Sequence, residues 1–189
     1  VTFVSNTGTA MYNSGTTDAT SSPVLTNGIF DGNSGVAINS THSSLTIMNA
    51  TFNGNSGGAI YHGYGDLVLT GVTFNKNTTS GSGGAIQSAS SSLTLTNAIF
   101  VGNSAGLWGG AMHNTTSNPV LTNGSFFDNH AASHGGAIGN FNSSPVLTNV
   151  TFGSNSATSR GGAIYNVADS LGTSNPILTN AILWGNTAS

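Results

Sequence analysis

Cysteine and glutamate are absent from the sequence, and only two basic side chains, Lys76 and Arg160, stand against five aspartates. Without cysteine no disulfide holds the fold, and the redox compartment is left open. Charged residues make up 4 % of the chain, so no cluster of Lys and Arg can follow a phosphate backbone, and nucleic acid is not expected as a partner. No apolar run approaches the roughly eighteen residues of a membrane-spanning helix, so no span is expected in this segment. The surface must then be solvated by Ser, Thr, Asn and Gly. Such a composition alone would point to disorder; only a strong internal pattern overrides it.

That pattern is a repeat, clearest in residues 135–155, GGAIGNFNSSPVLTNVTFGSN. Three landmarks recur in order. The apolar residue after GGA falls at Met11, Ile38, Ile60, Ile86, Met112, Ile138 and Ile164. A leucine-type position falls at Leu25, Ile47, Leu69, Leu95, Leu121, Leu147 and Leu178. An aromatic position falls at Phe3, Phe30, Phe52, Phe74, Phe100, Phe126 and Phe152, with Leu183 as its aliphatic variant. From leucine to aromatic the interval is always five residues, so this corner admits no insertion. From GGA-apolar to leucine it is nine or fourteen, and from aromatic to the next GGA-apolar eight or twelve, as for two independent loops on a constant frame.

Apolar residues within each landmark segment lie two apart, as in Leu93-Thr94-Leu95-Thr96, which is the strand period. Three strands make one coil, and coils stacked in register put Ile on Ile, Leu on Leu and Phe on Phe about 4.8 Å apart. The expected fold is all-β: a right-handed parallel β-helix of about seven to eight coils of 22–31 residues, right-handed because short parallel crossovers are strongly biased that way. The ladders expected along its axis are Phe52, Phe74, Phe100, Phe126 and Phe152, and Asn33, Asn55, Asn77, Asn103, Asn129 and Asn155.

The GGA-apolar and Phe-x-x-Asn landmarks resemble the repeats of chlamydial polymorphic membrane proteins. The last repeat, Asn175-Pro176-Ile177-Leu178-Thr179-Asn180-Ala181-Ile182-Leu183-Trp184-Gly185-Asn186, resembles bacterial right-handed β-helix repeat proteins of large secreted or surface-anchored chains. The resemblance covers nearly all of the chain. It implies surface display or adhesion, outside the cell or on its surface, and brings no catalytic motif with it.

The chain opens at Val1 rather than Met, in mid-coil, and stops at Ser189 just after the same strand; neither end differs from the middle as a polar terminal cap would. Residues 1–189 are therefore expected to be a single β-helix domain, a segment of a longer chain or a repeating filament unit. A long irregular loop, Ser14 to Ser22, is expected in the first coil. From Phe74 onward the aromatic-to-GGA loop gains four residues in four successive coils, and these insertions are expected to stack on one edge of the rod.

Asparagine is the most position-specific polar residue. Besides the Asn33 column, a second runs Asn27, Asn49, Asn97, Asn123, Asn149 and Asn180; Asn tolerates left-handed corners and its amide can donate and accept along a ladder. Glycosylation sequons at Asn39, Asn77, Asn114 and Asn142 are candidates for modification, whereas those at Asn49, Asn123 and Asn149 are expected to be buried in their ladder. The alanine of every GGA would alternate outward if Ile60 points in; the resulting methyl stripe reads either as a steric requirement of the adjacent turn or as a lateral packing face. Thr26, Thr70, Thr96, Thr122, Thr148 and Thr179, beside a mixed Val and Thr column, form an outward face similar to those of ice-binding solenoids.

Polysaccharide lyases share the expected fold, but such chemistry needs several carboxylates and a Lys or Arg together. Asp31 and Asp128 stand four coils apart, about 19 Å, and no cofactor, metal site or catalytic residue is expected. The one chemically rich group is Trp108, His113, His134 and Arg160, with His130 nearby, on or beside the inserted loops. The reading is a secreted or cell-surface structural solenoid, a fibre segment or adhesin passenger. Its expected partners are its own copies, head-to-tail or lateral, or a host surface ligand such as a glycan. The alternatives are carbohydrate binding or cleavage at the loop edge carrying Trp108, His134 and Arg160, and ice binding through the Thr/Val face.

Overall fold

The structure, a computed structural model, describes residues 1–16 and 21–189; of the expected first loop, residues 17–20 lie outside the described part. All strand pairings are parallel, and three sheets run along one axis: a ten-stranded sheet, a seven-stranded sheet and a narrow five-stranded one. No helix occurs among the described residues. The seven-stranded sheet holds the GGA-apolar segments, from Met11–Ser14 to Ile164–Val167, so six turns separate its first strand from its last. The ten-stranded sheet holds the leucine and aromatic segments, which from Asp66–Asn75 onward join into one bent strand per coil.

The bend explains the invariant five-residue interval. Midway between leucine and aromatic sits a residue with φ near +55°: Asn27, Asn49, Asn97, Asn123, Asn149 and Asn180, with Gly71 in the remaining coil. A single left-handed residue redirects the strand without breaking the pairing, and Asn and Gly adopt that conformation at least cost. An added residue would reverse the inward and outward faces of one segment relative to its neighbours.

Register is kept throughout. Phe3, Phe30, Phe52, Phe74, Phe100 and Phe126 each pair with the aromatic position of the following coil, and the six ring-to-ring distances lie between 4.6 and 5.0 Å. Strand spacing fixes that distance, which falls within the range of offset-stacked rings. Six phenylalanines are completely buried, with the Ile38, Leu45, Ile47, Ile60, Leu67 and Leu69 rows beside them.

The Asn33 column is the polar counterpart. In its central members all four hydrogen-bonding positions of the amide are filled. Asn103 Oδ1 accepts from Asn77 N–H and Nδ2, both at 3.0 Å, while Asn103 Nδ2 donates to Phe74 O and Asn129 Oδ1, again at 3.0 Å. The same set recurs at Asn55, Asn77, Asn129 and Asn155. The ladder steps by 27, 22, 26 and 31 residues, so the varying loop lengths are absorbed elsewhere.

Two local features depart from the sequence pattern. The alanines do not face outward: Ala37, Ala59, Ala85, Ala111 and Ala137 are completely buried. Ala59 N–H and Ile60 N–H both donate to Ala85 O, and the next three coils repeat the arrangement. This bulge turns two successive side chains to the same face, so the methyl stripe lines the core and offers no lateral packing surface. Further, the four-residue insertions are not plain loops. Thr78–Thr79, Ser104–Ala105, His130–Ala131, Ser156–Ala157 and Thr187–Ala188 form the narrow sheet. The GG pair that follows is required twice over: Gly109 has φ +64°, and a Cβ on Gly110 would collide with Gly136 O and His130 O.

Two measurements check this account. Phe100→Ala, which removes a ring stacked on both sides, is expected to lower stability by about 4 kcal/mol in urea titration, and Phe3→Ala, half-buried with one ring neighbour, by less than half of that. Asn103→Asp replaces a double donor with an acceptor facing Phe74 O and Asn129 Oδ1, so a loss of about 3 kcal/mol is expected at neutral pH. Burial raises the new carboxyl's pKa, and its protonation restores one donor. Relative to the parent chain the variant should therefore be less impaired at pH 3 than at pH 7, with the deficit growing as pH rises.

Candidate functional site

The outward surface of the seven-stranded sheet presents two columns. One reads Tyr12, Asn39, Tyr61, Gln87, His113, Gly139 and Tyr165; the other reads Ser14, Thr41, Gly63, Ala89, Thr115, Phe141 and Val167. The inserted loops border them. In the residue preceding each GG pair, Trp108 pairs with His134 and His134 with Arg160, while Trp108 N–H donates to Ser82 Oγ at 3.3 Å. The loops thus stack on one edge.

Three of the four sequence-predicted patch residues are brought together here, and two unforeseen ones join them. The Trp108 ring centroid lies 5.7 Å from His113, 5.6 Å from His134, 6.3 Å from Phe141 and 5.5 Å from Tyr165, and His134 stacks on Tyr165 at 4.5 Å. Gly139 makes this possible, since a Cβ there would come within 3.1 Å of Trp108 Cβ. The indole folds down from the loop edge into the gap that glycine leaves. Arg160 follows His134 in the ladder but is exposed. His130 lies apart on the narrow sheet, its Nδ1 3.0 Å from Ser156 Oγ. Tyr165 shares a column with Tyr12 and Tyr61, and aligning the residue after each GGA-apolar position would have exposed it.

The chemistry of this patch is aromatic. Neither nitrogen of His113 has a partner, and burial lowers its pKa to about 4, so the ring is neutral over the physiological range. Among the described residues no three His or Asp side chains come together to hold a metal ion. Asp31 accepts from Asn53 Nδ2, and Asp169 from Leu171 N–H and Asn142 Nδ2, so both carboxylates are engaged in local hydrogen bonds. Ser82, Leu107, Trp108, His113, Thr115 and Phe141 line a shallow depression of about 390 Å³.

Burial counts against the sequons singled out for modification, and exposes those that were not. Asn77 and Asn114 are completely buried, and their Nδ2 groups, where a glycan would attach, donate within the ladders to Asn103 Oδ1 and Asn140 Oδ1. Asn142 donates to Asp169 Oδ1, and Asn39 is half-buried on the seven-stranded sheet. The sequons expected to be buried, at Asn49, Asn123 and Asn149, are exposed, because the left-handed corner turns its side chain outward. The Thr column and exposed Val24, Val68 and Val120 face outward as alternation requires.

His113 and the completely buried His62 set an acid limit. Burial lowers the His62 pKa too, the Asp66 carboxylate pulling more weakly the other way. Both folded-state values lie below the unfolded value of 6.5. The folded chain therefore binds fewer protons, and stability present above pH 6.5 is lost as pH falls towards 4. Protonation of His113 accounts for up to about 3 kcal/mol. Urea melts at pH 7, 5 and 4 should show the decline, and His113→Gln should flatten it in part.

Two stretches, residues 71–89 and 149–167, match the model of the Chlamydia polymorphic membrane protein repeat. Each runs from a left-handed corner through the aromatic strand, the ladder asparagine and the inserted loop to the GGA strand. No curated protein and no solved structure matches the chain. By its repeat and its coil, the chain is a β-helix repeat protein resembling the chlamydial polymorphic membrane proteins.

Proposed function

We propose that the chain is a surface-displayed structural rod of the adhesin type, whose copies stack head-to-tail in the same register. The repeat it shares with a family of membrane proteins supports the surface placement. The observation that carries the structural role is the outer face of the last long strand, Ile177–Trp184. Leu178 is 37 % and Leu183 50 % exposed, whereas their counterparts Leu147 and Phe152 in the coil below are at most 1 % exposed. The first coil of a second copy would cover them as the coils within the chain cover one another.

The asparagine ladder gives that stacking a direction. Each residue of the buried row from Asn6 to Asn155 donates its backbone N–H and one amide N–H to the Oδ1 of the following coil, so among the described residues the first member, Asn6, has an Oδ1 that accepts nothing from below, and the last, Asn186, a backbone N–H with no acceptor above. Donor end meets acceptor end only head-to-tail. Unpaired strand edges of this kind template further pairing.

A second reading, attachment of glycans at the loop edge, draws on the aromatic group of Trp108, His134 and Tyr165. Cleavage of a polysaccharide draws on nothing comparable, since among the described residues no carboxylate pair accompanies that group.

Negative-stain electron microscopy of the purified chain over a rising concentration series tests the rod. Unbranched rods in multiples of a single copy's length are expected, and Leu183→Asp, which puts a charge on the stacking face, should leave single units. Dispersed single units of the parent chain at every concentration would refute the head-to-tail arrangement.

A further inference from the structure

The rod has a step in its side. Coils with the short aromatic-to-GGA interval precede Phe74, and coils with the four-residue insertion follow it. The narrow sheet therefore begins abruptly at Thr78–Thr79, with no strand beneath it. Gly106, Ala132 and Thr158 each donate a backbone N–H to the loop below, at 2.9, 2.9 and 3.1 Å, but the equivalent Ser80 N–H has no acceptor among the described residues. Under this overhang lies a cleft of about 290 Å³, floored by Gly57 and Gly58.

Its walls are polar and uncharged. Asn39, Tyr61 and Gln87 come from successive strands of the seven-stranded sheet, paired in register, and Thr79 and Ser82 come from the overhang. Asn39 Oδ1 is buried without a partner among the described residues, and Tyr61 and Gln87 line the cleft beside it. The Asn39 amide contrasts with the Asn33 ladder, in which every position is filled. No ionised side chain lines the cleft.

The geometry points to this step as a binding site for a neutral carbohydrate, one or two sugar residues of a longer glycan. A phosphate, sulfate or carboxylate would meet no cation, and an ammonium group no carboxylate. A purely apolar ligand would displace water from the polar walls and leave them unpaired. Sugar hydroxyls both donate and accept, as does the amide of Gln87; the hydroxyls of Thr79 and Ser82, whose oxygens accept from Gly81 N–H and Trp108 N–H, can donate, and the Tyr61 ring offers the apolar face of a sugar a surface. The volume lies at the small end of ligand pockets, about 300–1,000 Å³. The outward column continues from Gln87 to His113 and on to Tyr165, rising about 4.8 Å per coil. A glycan held at the step can therefore run up to the aromatic group. This site deepens the surface reading by naming what a displayed rod would hold.

The test is a printed array of neutral and acidic oligosaccharides, probed with the parent chain and with Tyr61→Ala, Gln87→Ala and Trp108→Ala, each checked for native circular dichroism. The parent is expected to retain neutral oligosaccharides, with affinity lowered about tenfold or more by Tyr61→Ala and by Gln87→Ala, a loss of about 1.4 kcal/mol. Trp108→Ala should lower it by less than about threefold. Retention of acidic glycans alone, of none, or of neutral glycans with both cleft variants unimpaired would overturn the assignment. Loss restricted to Trp108→Ala would move the ligand to the loop edge. Rods seen by electron microscopy for the same variants separate this outcome from a failure of the structural role.

Discussion

Parallel strands of successive coils lie about 4.8 Å apart and in register, so a side chain at any position meets its own counterpart above and below. Each column must therefore be filled by something that packs against a copy of itself. Phenylalanine does so by offset stacking, and leucine and isoleucine by shape. Among polar side chains the demand is harsher, because a buried column must donate and accept in equal measure along one direction. The primary amide of asparagine meets it, with two donors and two acceptor positions on an arm short enough to reach both the neighbouring amide and a backbone carbonyl. The row at Asn55, Asn77, Asn103, Asn129 and Asn155 is a consequence of the stacking rule as much as a support for it.

Where the rule is broken, glycine and a bulky aromatic occur together. Gly139 interrupts an outward column, and the Trp108 indole occupies the gap. Gly153 interrupts another, with Phe127 and Trp184 atoms within 2.8 Å of where its Cβ would be. At both places the missing side chain leaves room for a large ring from a neighbouring coil or loop. The inner polar row of the seven-stranded sheet breaks the rule in a different way. Asn114, Asn140 and Asn166 continue one another at 2.8 Å, but His62 lies between Ser40 and Ser88 with neither nitrogen paired, and carries a pKa penalty instead.

The solenoid was legible in the sequence because fixed intervals survive any loop length. A five-residue step from Leu95 to Phe100, repeated in every coil, can only belong to a rigid corner. The narrow sheet was not legible: two-residue strands such as Ser104–Ala105 carry no periodicity. The inward alanines were missed because strict alternation was applied across a bulge, where it does not hold. Asn77 and the corner residues Asn49, Asn123 and Asn149 were exchanged in burial because an amide is equally at home at an exposed left-handed corner and in an internal ladder, and residue type does not separate them. Of the aromatic group, Trp108, His113 and His134 were found from the inserted loops, but Phe141 and Tyr165 lie on strands whose outward columns reveal themselves only when coils are superimposed.

Both the backbone bonds between coils and the amide row point along the axis of the rod. Tension applied to its two ends therefore falls on one inter-coil layer at a time, rather than being shared across all of them in shear. Such a body yields stepwise, each release paying out one coil of 22 to 31 residues of slack while the remaining coils stay intact. A tether built this way lengthens under load in discrete increments and keeps its unpeeled portion in working order.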